Sequence, residues 1–133
     1  RVVHYILPPK RSSETSPYLE AAATAVDVAM GADIIAIAID DTKAMREVLL
    51  GTVDRAGVAL DLAPGATLID FGIRSPRDSQ AILGILGMRG ISLVDAAVIG
   101  GAEALARGTA SVLAGGFPDA VEAAMPLPAV FGL

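Results

Sequence analysis

The chain has 133 residues, 53% of them hydrophobic but only 4% aromatic, so it can bury one core built largely from small aliphatic side chains. Its formal net charge of -5 and lack of cysteine exclude electrostatic steering toward nucleic acid or anionic membranes, a disulfide framework, thiol catalysis and thiolate metal sites. No apolar run reaches the roughly 18 residues of a membrane span, because Asp27, Asp33, Asp40 and Asp41 interrupt the longest stretch.

The absence of cysteine suits a reducing cytosol, and a cytoplasmic location is expected. The chain begins at Arg1 without a visible signal peptide, as expected of a trimmed start or a piece of something longer.

Residues 2–7 read as a strand, ended by Pro8-Pro9 and a polar turn over 10–16. Ser16 followed by Pro17 predicts a cap and first helical position for a helix over about 18–30, stopped by Gly31. Residues 34–39 form a near-continuous apolar strand of the kind buried on both faces. Asp40-Asp41-Thr42 can cap a second helix over about 43–55, and 58–62 reads as a short strand.

Pro64-Gly65 turns into the clearest strand of the second half, 66–73, and residues 74–78 turn into a third helix over about 79–88. Beyond Gly90 the pattern allows a strand over 91–99, a short helix over 102–106, a strand over 110–114, a helical turn over 118–124 and a tail marked by Pro126 and Pro128. Alternating strands and helices predict α/β layers, with one sheet covered by helices.

Chemistry is sparse. Gly100-Gly101 and Gly115-Gly116 each follow a strand, yet neither fits the dinucleotide fingerprint or a lysine-bearing phosphate loop, so both read as turn glycines. Asp40-Asp41 stands at a strand's C-terminal end, the natural place for a functional carboxylate in an α/β fold. The pair is similar to the acidic pair of a response-regulator receiver domain, but Lys43 is the last lysine, and the later lysine that family needs is missing. Helix capping accounts for both aspartates. His4 is the only histidine and reads as structural. Arg74, Arg77 and Arg89 could bind an anion together, but ordinary solvated arginines are the favoured account, and no G-x-S-x-G elbow is present. No catalytic, cofactor-binding or metal-binding constellation emerges.

Arg1-Val2-Val3-His4-Tyr5-Ile6-Leu7-Pro8-Pro9-Lys10, then a helix ending in Gly31, Ala36-Ile37-Ala38-Ile39, the Ala44-Met45 helix and Gly65-Ala66-Thr67-Leu68-Ile69 carry a resemblance. This series resembles the circularly permuted bacterial microcompartment (BMC-domain) shell proteins of the propanediol- and ethanolamine-utilisation type. It departs from them where Pro9 replaces a Gly and Arg55 stands near the family's edge lysine, and residues 96–133 have no counterpart.

The resemblance implies a BMC-like α/β domain over 1–95, with a sheet carrying helices on one side, and a C-terminal extension over 96–133. It further implies a structural rather than catalytic protein without cofactors, closing into a cyclic homo-hexamer that meets other shell proteins of a bacterial microcompartment. His4 and Tyr5 would lie near a metabolite pore, and Arg55 at the assembly edge.

Two rivals stand beside it. Ala56-Gly57-Val58, Leu68-Ile69-Asp70, Leu86-Gly87-Met88-Arg89-Gly90, Asp95-Ala96-Ala97, Ala104-Leu105 and Phe131-Gly132 resemble the N-terminal half of a thiolase-like ketoacyl synthase, with Gly100 where its nucleophilic cysteine should stand. Leu7-Pro8-Pro9-Lys10, Ala44-Met45-Arg46 and Arg77-Asp78 resemble the first half of a methylenetetrahydrofolate reductase barrel, with Tyr5 at its catalytic Glu position. Only the shell reading makes 133 residues a self-sufficient unit, so assembly is the expectation carried to the structure.

Overall fold

A computed structural model describes residues 2–4 and 19–129. Its centre is a four-stranded sheet in the order β3-β6-β7-β8, formed by β3 (Ile34–Ile37), β6 (Thr67–Asp70), β7 (Ser92–Ile99) and β8 (Ser111–Gly116). The first three strands run parallel and β8 returns antiparallel along β7. A separate parallel pair joins β1 (Val2–His4) to β2 (Leu19–Ala21), and a hairpin joins β4 (Gly51–Thr52) to β5 (Arg55–Ala56). Each parallel step in the central sheet needs a crossover helix, and the chain supplies α2 (Thr42–Leu50) and α3 (Pro76–Gly87).

The period of two along a strand sorts the core into two layers. Leu68 and Leu93 are register partners on one face, where they pack with Ile35, Met45 and Leu49 of α2, Ile82 and Leu86 of α3, and Ala29 of α1 (Ala25–Ala29). Their neighbours Ile69 and Val94 point the other way, onto Ala120 and Ala124 of α5 (Pro118–Ala124). Helices therefore cover both faces, correcting the expected one-sided layering. Among the described residues, the remaining helices are α4 (Gly101–Ala106) and α6 (Pro126–Ala129). β7 runs through positions 95 and 96, and β8 is hydrogen-bonded to it, so the segment expected as an extension contributes a strand to the central sheet.

Local signals explain the other differences. Thr24 and Asp27 form a capping box that starts α1 at Ala25, so the expected helix over 18–30 gives way to β2 before it; Ser16 and Pro17 lie outside the described residues. Helix α2 stops at Leu50 because Gly51 takes φ 86° and its N–H donates to the Glu47 carbonyl. Residues 58–60, expected as a strand, form a 3-10 turn that buries Val58 and Ala59. Ser75 caps α3, with Pro76 at its first turn, so this helix begins earlier than expected.

Candidate functional site

In an open α/β sheet, ligands bind beyond the carboxyl ends of the parallel strands. Here that region comprises residues 38–41 after β3, 71–75 after β6 and the Gly100 turn after β7. Asp41 accepts from Lys43 N–H at 2.8 Å and Ala44 N–H at 3.4 Å, so its carboxylate caps α2. The capping role expected for the aspartate pair holds for Asp41, while Asp40 contributes its backbone carbonyl to a different contact.

That contact is a buried ion pair. Arg74, expected as a solvated arginine, has a side chain 0% exposed, and its Asp70 partner is 4% exposed. Arg74 Nε donates to Asp70 Oδ2 at 2.9 Å and Nη2 to Oδ1 at 3.2 Å, a bidentate fork. The same guanidinium reaches across to β3's end, where Nη1 donates to the Asp40 carbonyl at 2.9 Å and Nη2 donates to the Ile39 carbonyl. Gly72 N–H donates to Asp70 Oδ1 at 2.8 Å. A Cβ at Gly72 would run into Arg74 Nη2 and would stand 2.6 Å from the Ile39 carbonyl oxygen, so only glycine leaves room for the guanidinium.

Burial raises the Asp70 carboxyl above its ordinary value; the Gly72 N–H and the Arg74 guanidinium pull it down, and the nearby Asp95 carboxylate adds to the rise. Asp95 is held in turn by Ser79 Oγ, which donates to its Oδ2 at 2.9 Å. Sequence reading missed this cluster. Its signal is Asp70-Phe71-Gly72-Ile73-Arg74 at the end of the clearest second-half strand, an acid and a base four apart with a glycine between them.

The structure brings neither the pore candidate His4 nor the edge candidate Arg55 to this site, whereas Arg74 and the Asp40 backbone, both weighed in the sequence, meet there. His4 ends β1 beside Ala21, Tyr5 lies outside the described residues, and Arg55 is exposed on the β4–β5 hairpin. Arg77 and Arg89 are exposed, as expected. Gly100 and Gly101 take φ 107° and 68°, consistent with turn glycines. Among the described residues, no group of three or more His, Cys, Asp or Glu could hold a metal, and no helix is long and apolar enough to cross a membrane.

Comparison with known proteins overturns the shell reading. Residues 8–132 match the family described as the NAD binding domain of 6-phosphogluconate dehydrogenase. An NAD-dependent L-serine dehydrogenase of Pseudomonas aeruginosa is 30% identical over 107 residues, covering 80% of this chain and 35% of that protein. The crystal structure of a 3-hydroxyisobutyrate dehydrogenase from Salmonella typhimurium is 29% identical with a TM-score of 0.75, over 85% of this chain and 38% of its own. An imine reductase from Myxococcus stipitatus in complex with NADP+ shares the fold at 20% identity, with a TM-score of 0.73, over 86% of this chain and 38% of that one. The chain thus spans little more than a third of these relatives' length.

No microcompartment family is matched, so the hexameric shell, its shell-protein partners, its compartment and the pore and edge roles of His4, Tyr5 and Arg55 lose their basis. Dehydrogenase relatives likewise overturn the thiolase and reductase-barrel alternatives and the non-catalytic reading. The resemblance failed because its motifs were short runs of small apolar residues, which any α/β core with parallel strands also requires.

Proposed function

Since the chain belongs to the family of the NAD binding domain of 6-phosphogluconate dehydrogenase, we propose that it forms part of the dinucleotide-binding domain of an NAD(P)-dependent dehydrogenase. The family match over 8–132, on a sheet whose three parallel strands end at one edge, carries this reading. L-serine and 3-hydroxyisobutyrate, named for two relatives, are both small carboxylic acids with a primary hydroxyl at C3, so the proposed substrate class is a 3-hydroxy acid.

The residues present fit one half of a dinucleotide site. Residues 38–41 and 71–75 would line it, above a buried Asp70–Arg74 pair whose charges cancel. Nowhere in the sequence are two glycines separated by a single residue, so the G-x-G-x-x-G turn that cradles the pyrophosphate is not among these 133 residues. When bound, the nicotinamide supplies a hydride acceptor or donor. This chain's part is to hold and orient it at the strand ends and to keep the ledge beneath free of uncompensated charge.

Titration of the chain with NAD+ or NADP+, followed by amide chemical shifts, tests the reading. A Kd of about 1 mM, equivalent to about 4 kcal/mol, suffices to perturb 38–42 and 71–75 selectively. A folded chain with no perturbation there refutes it.

A further inference from the structure

Strand β3 has a neighbour on only one side among the described residues. Its last ladder bond is Phe71 N–H to the Ile37 carbonyl at 2.8 Å. Past that point, the ends of β3 and β6 are joined through one side chain, because Arg74 grips Asp70 on β6 and the carbonyls of Ile39 and Asp40 beyond β3. We propose that Arg74 is a positioning residue of the strand-end crevice, fixing the turns 38–41 and 71–75 in one relative geometry for a bound dinucleotide; this rests on the function proposed above.

Three observations carry the assignment. A buried ion pair stabilises a fold little compared with apolar packing of the same volume, whereas its directed hydrogen bonds hold geometry tightly. The Gly72 site is matched to the guanidinium, since a methyl group there would collide with Arg74 and the Ile39 carbonyl. Finally, the guanidinium occupies the Ile39 and Asp40 carbonyl oxygens. Left free at a strand end, two carbonyl dipoles would repel the anionic oxygens of a nucleotide; engaged by Arg74, their negative ends are partly neutralised. Between Gly72 and Arg74, Ile73 keeps 83% of its surface exposed, so the fixed turn presents an apolar side chain beside the crevice.

Hydrogen exchange on the whole chain separates positioning from bulk stability. Arg74→Met is compared with Arg74→Lys, with Gly72→Ala, and with Leu86→Ala as a core control on the buried face of α3 rather than at the strand ends. Arg74→Met is expected to speed exchange of the Phe71 amide, which bonds the Ile37 carbonyl at the junction Arg74 holds, about tenfold relative to the core strands. Lysine, which keeps the charge but loses the fork, should restore part of this protection, and Leu86→Ala should leave the ratio at its wild-type value. Should Arg74→Met fail to fold, Gly72→Ala decides the matter, because it displaces the guanidinium without removing it.

The same set is then titrated with NAD+. Arg74→Met should weaken binding about tenfold at a temperature where it stays folded, with Leu86→Ala unchanged. An unchanged exchange ratio in Arg74→Met or Gly72→Ala, or an equal change in Leu86→Ala, overturns the positioning role. If the wild-type chain binds no dinucleotide, the proposed function falls, and the exchange ratios still decide what Arg74 does.

Discussion

Asp70 and Asp95 stand opposite each other in the parallel register of β6 and β7, and each carboxylate is answered by a different neighbour. Arg74 forks onto Asp70, while Ser79, on the first turns of α3, donates to Asp95. Two acids on adjacent strands of one sheet face repel, and the fold tolerates them by giving one a cation and the other a hydroxyl.

The raised Asp70 carboxyl sets a pH dependence whose sign can be checked. A group that binds its proton more tightly in the folded state loses its stabilising contribution as pH rises from about 4 through the folded value. The difference in unfolding free energy between wild type and Asp70→Asn is therefore expected to shrink as pH rises above about 4, measured by urea titration at several pH values. An ion pair that outweighed burial would make the difference grow.

Removing the second answering group tests the other acid. Ser79→Ala should cost about 1 kcal/mol in chemical denaturation, the usual net worth of one such hydrogen bond. No change would mean that solvent already serves Asp95.

Leu86 lies at 0% exposure on the buried face of α3. Leu86→Ala is expected to cost about 2–5 kcal/mol, with the spread set by how far the site collapses. Calorimetric unfolding reads this directly, and a loss below about 1 kcal/mol would show that α3 is loosely packed.

At the start of the same helix, Ser75 Oγ accepts from Asp78 N–H at 3.2 Å and donates to Asp78 Oδ2 at 2.7 Å. Ser75→Ala should cost about 1 kcal/mol and Ser75→Gly only a few tenths, as caps do. Equal losses in the two variants would locate the effect elsewhere than in the cap.

Ile73, exposed at the β6 turn, offers a functional contrast to these structural changes. Ile73→Ser should leave folding stability within about 0.5 kcal/mol. It should weaken dinucleotide binding by about 1 kcal/mol, roughly a factor of 5, as expected when a partly buried aliphatic contact is lost. Unchanged affinity would place the ligand away from this turn.

Much of the fold was legible along the chain. The alternation of strands and helices, the β3, β6 and β7 segments, the Asp41 cap and the Gly31 stop all follow from local rules of apolar period, capping and glycine φ. Local signals also existed where reading fell short: Thr24-x-x-Asp27 is a capping box and Ser75-Pro76 a helix start, each sufficient to shift a boundary. The site was less legible. Asp70, Gly72 and Arg74 are spaced as any turn residues are, and nothing local distinguishes a solvated arginine from a buried one.

Taken alone, the sequence determined an α/β chain with a small-residue core, no thiol chemistry and no dinucleotide fingerprint, because composition and nearest-neighbour spacing act within a few residues. Tertiary structure decided the rest: which way Leu68 and Ile69 face, that helices cover both sides of the sheet, and that Arg74 reaches Ile39, 35 positions away in sequence, across two strand ends. Burial is what makes that contact selective. With its side chain 0% exposed, the guanidinium must satisfy its donors within the protein, and only the folded strand ends bring a carboxylate and two carbonyls within reach of one side chain.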